Sequence, residues 1–215
     1  MCYCLCMSEA AIKERPILFS GEMVRAILDG RKTQTRRVVK ELPGGRGGPV
    51  GDHVKFWRKG NEDPGRWCGC DGLGSLGWVK CPFGVPGDRL WVRETWHANH
   101  TKEVVHYRAD YGEHDPFREE TCGEDHSLVG ERWRPSIHMP RWASRITLEV
   151  TDVRVERLQE ITNGEARAEG FPVDESGTWW RDRFHSGWDA LNAKRGFGWD
   201  TNPWVWVVEF KRVEA

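Results

Sequence analysis

The residues Gly30 to Arg37, G-R-K-T-Q-T-R-R, gather a lysine, two threonines and three arginines in one short stretch. A lysine amine can act as general base towards a threonine hydroxyl when burial or a neighbouring cation lowers its pKa. Lys32 and Thr35 are the candidates for that pair, and Arg31, Arg36 and Arg37 are the neighbouring cations. The same residues also suit a solvated helix end, because the negative pole of a helix attracts Lys and Arg. Spacing alone favours the helix end and leaves the catalytic pair open.

Two carboxylates are placed where charge needs a reason. Glu169 precedes Gly170 at the end of a predicted helix, where a cation would be usual. Glu94 lies in phase with Leu90, Val92 and Trp96 on a predicted strand, so it points inward or marks a bulge. A buried carboxylate must be paired or protonated, and an ion pair with an arginine is the plainer reading. Cys68-x-Cys70 with Cys81, and His53 as a fourth donor, resembles part of a zinc site. The spacing is not that of structural zinc and no second pair follows, so no metal is expected. His97, His100, His106, His114 and His126 lack ligand spacing and read as surface or loop histidines. No phosphate-binding loop, dinucleotide fingerprint or nucleophile elbow is present, so no cofactor is expected.

The elements that must carry these residues follow from pattern. Arg15–Phe19 reads as a strand, and Ser20 can cap a helix over Gly21–Asp29 that Gly30 stops. Thr33–Val39 suits a second strand. Residues 41–87 are too rich in Gly and Pro for a regular element and read as a long loop. Asp88–Trp96 is a strand, Glu103–Arg108 a weaker one, and Trp133–Trp142 a loop. Arg145–Leu158 alternates over an unusual length and predicts a long, bent strand. Thr162 and Glu165 have capping-box spacing and open a short helix that ends at Gly170. Trp179–Lys194 forms a longer helix, and Trp204–Phe210 an apolar closing strand.

At 215 residues the chain can bury one sizeable core. Its 32 basic and 33 acidic side chains leave a formal charge of −1, so no global field attracts a polyanion. The longest apolar run, Trp204–Val208, is far too short to cross a membrane. Cys2, Cys4 and Cys6 crowd a segment without a charged n-region, so no signal peptide is expected. Residues 1–14 read as a poorly ordered extension, and the seven cysteines as reduced thiols of a cytoplasmic protein. The thirteen tryptophans suit a large aromatic core, with a few free to stack on a planar ligand.

Taken in order, G-R-K-T-Q-T-R-R, P-G-D-R-L-W-V-R-E, L-Q-E-I-T-N-G-E-A-R-A-E-G and the closing V-W-V-V-E-F-K-R resemble the ASCH family of PUA-like domains. The run from Pro16 to Val213, including W-R-P-S-I-H-M-P-R-W-A-S-R, is similar to the long phage- and prophage-type members. It implies an α+β fold, a small mixed PUA-like β-barrel with flanking helices. Residues 15–215 would form one domain with insertions at about 41–87, 110–132 and 171–200. Within that family, G-R-K-T-x-T is similar to the motif of the small bacterial N4-acetylcytidine amidohydrolase. The resemblance implies Lys32 as base, Thr35 as nucleophile and Glu169 as the assisting carboxylate. Arg31, Thr33, Arg37 and Glu94 would contact the substrate, with Trp91 or Trp142 stacked on its base. The expected partner is a modified nucleoside or base, with acyl groups larger than acetyl admitted by the added loops. The rival expectation is a module that binds or cuts single-stranded RNA, using Arg31, Arg36, Arg37, Arg141 and Arg145. A structural role in a phage particle is a third.

Overall fold

The computed structural model describes residues 12–40, 55–58, 66–70, 75–99, 103–112, 114, 117, 132–171 and 180–213. Strand β1 (Glu14–Leu18) leads into helix α1 (Gly21–Leu28), whose first turn is closed by Ser20 accepting from the Met23 amide. Val24, Ala26 and Ile27 give α1 its buried face. Gly30 takes a φ of +72°, the left-handed position that ends a helix, and the chain turns into strand β2 (Gln34–Val38).

Strand β6 (Arg89–Arg93), strand β9 (Thr147–Arg157) and strand β10 (Trp204–Val213) complete a five-stranded mixed sheet in the order β1-β6-β9-β10-β2. The β1–β6 pair is parallel and the others are antiparallel. The long strand is bent as its pattern suggested: the β9–β10 register slips between Glu209 and Phe210. Asp88 of the P-G-D segment anchors the entry to β6, accepting from the Lys13 and Val85 amides and from Arg15.

Strand alternation divides the core between the two sheet faces. Leu90, Val92, Leu148, Val150, Val153, Trp206 and Val208 face α1 together with Ile17 and Phe19. Val205 and Val207 face the other way, onto helix α2 (Asn163–Ala168) and helix α3 (Trp180–Asn192), where Phe184, Trp188 and Trp199 cover them. β10 is therefore apolar on both faces, which accounts for the uninterrupted run V-W-V-V. The α2 capping box forms as expected: the Glu165 amide donates to Thr162 Oγ1, and the Thr162 amide to Glu165 Oε2. Gly196, with φ +81°, ends the turn that follows α3.

The α+β class stands, and the sheet is open among the described residues, with no ladder between its edge strands β1 and β2. A side chain joins those edges instead. Arg37 Nη2 donates to the Leu18 carbonyl at 2.8 Å, and its guanidinium lies 5.3 Å from the Phe19 ring centroid.

Three expectations need correction. Residues 41–87 are not one irregular loop: strand β3 (Lys55–Arg58), strand β4 (Arg66–Cys70) and strand β5 (Ser75–Lys80) form an antiparallel sheet. Glycine hid it, because Gly69 faces Gly77 across the ladder and removes the side chains that would have shown alternation. Trp67 carries this sheet onto the main core, edge-on to Trp206 at 6.1 Å. The segment Asp88–Trp96 is likewise two strands. β6 ends at Arg93, and strand β7 (Trp96–Ala98) pairs with strand β8 (Val105–Tyr107) in a separate sheet. The Arg134 backbone bridges Trp96 and redirects the chain there. Finally, Lys13 and Glu14 belong to the fold through Asp88 and β1 and not to an extension; residues 1–11 lie outside the described residues. No helix among the described residues is long and apolar enough to cross a membrane.

Candidate functional site

The ends of α1 and α2 meet at the lysine. After Gly30 the amides of Arg31 and Lys32 both return to the Ala26 carbonyl, at 2.9 and 3.0 Å, and Thr33 donates to the Ala168 carbonyl at 2.9 Å. Lys32 and Glu169 thus pair across two helix termini as a β-bridge. Glu169 caps α2, and Gly170 follows with φ +92°. A Cβ on Gly170 would lie 2.7 Å from Lys32 Cβ and 2.9 Å from Ala26 Cβ, so only glycine lets the two turns close.

In this enclosure Lys32 Nζ donates to the Glu169 carbonyl at 2.7 Å and to Glu169 Oε2 at 2.9 Å. Both residues are 4 % exposed. Burial pushes the Lys32 amine below its ordinary pKa; the Glu169 carboxylate opposes this, and Arg37 and Arg36 add to it. The Phe19 ring centroid lies 5.4 Å from Nζ.

The pair is one end of a larger charge chain. Arg36 is buried and places Nη1 3.3 Å from Glu169 Oε1, with Nη2 3.2 Å from Glu165 Oε1 and 3.4 Å from Glu156 Oε2. Arg154 then holds Glu165 at 2.6 Å, and also pairs with Glu156 and Glu209. Burial pushes the Glu165 carboxyl up, but the Thr162 amide and hydroxyl, Arg36 and Arg154 outweigh it and hold it below the usual range. Glu169 therefore divides its two oxygens between two buried cations. Spacing did not reveal this chain, although the period-two phase of R-V-E in the long strand and the capping glutamate both contribute to it.

β2 alternates between the two sides. Gln34 and Arg36 face α2, where Gln34 Nε2 donates to the Glu165 carbonyl at 2.8 Å. Thr35 pairs with Val208 and shares its face, on the Phe19 side, and is 1 % exposed. Lys32 Nζ gives its hydrogen bonds to Glu169 and not to Thr35. The structure thus brings Lys32 and Glu169 into contact and buries Thr35 on the adjoining strand.

Other expected substrate contacts are dispersed. Exposed Arg31 donates to the Gly170 carbonyl at 2.7 Å and pairs with Asp29. Thr33 is exposed and tied by its backbone. Arg37 spans the sheet edges as described. Glu94, 1 % exposed, is held by Arg145 at 3.0 and 3.1 Å, and Arg145 also grips Asp110. Burial raises the Glu94 carboxyl and Arg145 opposes it. This is the arginine ion pair that the plainer reading anticipated, and its partners differ from those of Lys32. Trp91 lies on the face of β6 opposite Leu90 and Val92, with the Arg93 guanidinium 5.2 Å from its ring. Trp142 is 50 % exposed and stands edge-on to Trp96.

Cys68 and Cys70 bring their sulfurs to 3.4 Å, while Cys81 is buried and its thiol is pushed up to about 11 by desolvation. His53 lies outside the described residues, and no group of three or more His, Cys, Asp or Glu among the described residues is placed to hold a metal ion. His97 is not a surface residue: β7 carries it inside, 4.9 Å from the Phe117 ring. His106 faces the Tyr111 hydroxyl at 2.7 Å; His100 and His126 lie outside the described residues.

No protein-family model matches the chain, and no curated protein matches it in sequence. Among solved structures it is similar to protein EF3133 from Enterococcus faecalis V583, of family-model DUF984. The identity is 9 %, the coverage 95 % of this chain and 82 % of that one, and the TM-score 0.43. At that score the likeness carries no argument about fold or function.

Proposed function

We propose that this chain is an amidohydrolase that removes acyl groups from N4-acylated cytosine nucleosides or bases through Thr35, Lys32 and Glu169. The buried Lys32–Glu169 pair carries this reading. A solvated helix end would leave the amine in water, whereas Lys32 is enclosed and its ammonium form disfavoured. A neutral amine has two hydrogens and one lone pair. In that form, which the reaction requires, the two hydrogens serve the Glu169 carbonyl and carboxylate and the lone pair is left for the Thr35 hydroxyl.

The proposed steps use that arrangement. Thr35 Oγ1 attacks the acyl carbon and passes its proton to Lys32. A backbone N–H or Arg37 stabilises the oxyanion. Glu169 orients the amine and relays a proton to the leaving N4, and water then hydrolyses the threonyl ester. The PUA-like barrel belongs to the same reading, supported by Arg37 tying the sheet edges together beside Lys32. The RNA-binding alternative has less support, because Arg36, Arg141 and Arg145 are engaged with carboxylates of this chain.

Purified protein incubated with N4-acetylcytidine and N4-benzoylcytidine should convert them to cytidine, followed by ultraviolet absorbance. Lys32→Ala and Thr35→Ala should each lose activity by at least about 100-fold, the usual contribution of a general base or nucleophile. Turnover of neither substrate, or undiminished activity in both variants, would falsify the mechanism.

A further inference from the structure

The small β3–β4–β5 sheet carries two thiols that the proposed hydrolysis does not use. Cys68 and Cys70 lie two apart on β4 and so share a face. In a regular strand that spacing holds side chains further apart than sulfur contact. Here the ladder is irregular: Gly69 pairs with Gly77 but Cys70 with Ser75, so Leu76 is the extra residue of a β-bulge. A bulge bends and further twists its strand pair. The result is a Cys68 Sγ to Cys70 Sγ separation of 3.4 Å, with a glycine as the sole intervening residue. Cys68 is buried and Cys70 half-buried, so one sulfur is reachable and the other waits behind it.

We propose that Cys68 and Cys70 form a reversible redox site, a dithiol that closes to an intrachain disulfide when it meets a small disulfide oxidant of the glutathione type. The Cys70 thiolate attacks the oxidant's sulfur–sulfur bond, forming a mixed disulfide and releasing one thiolate. The Cys68 thiolate then attacks Cys70 Sγ, the mixed bond breaks, and the second thiolate leaves. Two electrons pass from the protein to the oxidant, and two protons pass to the solvent or to the released thiolates. A ring closed over one intervening residue is strained, and strained disulfides are the easily reduced, labile kind. The site therefore responds to redox poise rather than stapling the fold. Its position gives it reach: Trp67, next to Cys68, is the residue that seats this sheet on Trp206, and Trp206 pairs with Arg37 of β2.

The sequence supplies a clean readout. Trypsin cuts after Arg66 and after Lys80, so the peptide 67–80 holds Cys68 and Cys70 and no other cysteine. The full chain is equilibrated at neutral pH with reduced and oxidised glutathione in graded ratios, acid-quenched, alkylated and digested. The expected result is a peptide that becomes lighter by two hydrogens and escapes alkylation as the ratio turns oxidising, and returns to the doubly alkylated form on adding dithiothreitol. In Cys68→Ser, the same peptide should instead stop at the glutathione mixed disulfide on Cys70. The proposal is overturned if peptide 67–80 stays doubly alkylated even with oxidised glutathione in large excess over reduced glutathione. It is equally overturned if the wild-type peptide accumulates only as a glutathione adduct, or joined to another cysteine.

Discussion

Lys32 owes its chemistry to what encloses it rather than to its neighbours in sequence. Removing one partner of a buried ion pair costs about 3–5 kcal/mol, and because Glu169 keeps Arg36 the lower end, about 3 kcal/mol, applies here. Lys32→Met should therefore lower the unfolding free energy by roughly that amount in urea titrations, and Lys32→Met combined with Glu169→Leu should recover part of it. An unchanged stability in the single variant would mean that the pair is not buried as described. The pH dependence has a definite sign. The folded amine titrates below the unfolded value of about 10.4, so between the two the unfolded chain binds more protons. The stability of wild type relative to Lys32→Met should be constant below the folded pKa, rise with pH between the folded and unfolded values, and level off above about 10.4. A difference that falls with pH across the window would assign Lys32 a raised pKa. Gly170→Ala tests the enclosure itself. Forcing a side chain to φ +92° and against Lys32 Cβ should cost about 1–3 kcal/mol, together with a loss of hydrolysis greater than the lost stability explains.

At the scale of elements, the helix ends carry the site, and they were the most legible parts of the chain. Ser20 and Gly30 bound α1 by capping and a left-handed turn, and Thr162 with Glu165 opens α2 by a capping box. Both signals are local, so composition and spacing suffice to read them. The β3–β4–β5 sheet and the break between β6 and β7 were not legible, for different reasons. In the first, paired glycines erase the alternation that marks a strand. In the second the alternation of Leu90, Val92, Glu94 and Trp96 continues, but a bridge from Arg134 carries Trp96 into another sheet. Tertiary contact overrides pattern there. The capping box also supports the charge chain, because Glu165 serves both Thr162 and Arg36. Thr162→Ala should thus cost about 1 kcal/mol through the cap, by thermal or urea unfolding. It should leave substrate turnover largely intact, since Glu169 keeps Lys32 and Arg36. A collapse in activity without a stability loss would give Thr162 a role beyond capping.

Across the whole molecule, β10 is the common wall of both cores, with Trp206 and Val208 on one side and Val205 and Val207 on the other. β2 lies beside it, which sends Thr35 and Arg36 to opposite faces, the proposed nucleophile towards Phe19 and the arginine towards α2. The network of Arg36, Arg154, Glu156, Glu165 and Glu209 was illegible in sequence because its members come from β2, β9, α2 and β10. Only the assembled sheet makes them neighbours. The same layout makes Trp67 a long-range support. Trp67→Ala should cost about 3–5 kcal/mol by creating a cavity against Trp206, and a value under about 1 kcal/mol would show the small sheet to be loosely attached.

The central claim is that Thr35 takes the acyl group while Lys32 takes its proton. It is tested most directly by rapid acid quench of the protein turning over N4-benzoylcytidine, followed by fragment mass analysis of the tryptic peptide Thr33-Gln-Thr-Arg36. The account predicts a benzoyl group on Thr35, absent from Thr35→Ala and strongly reduced in Lys32→Ala, whose lost cleavage site makes the corresponding peptide run from 32 to 36. Full turnover with no acyl group on that peptide at any quench time, or an acyl group on a different residue, would contradict it.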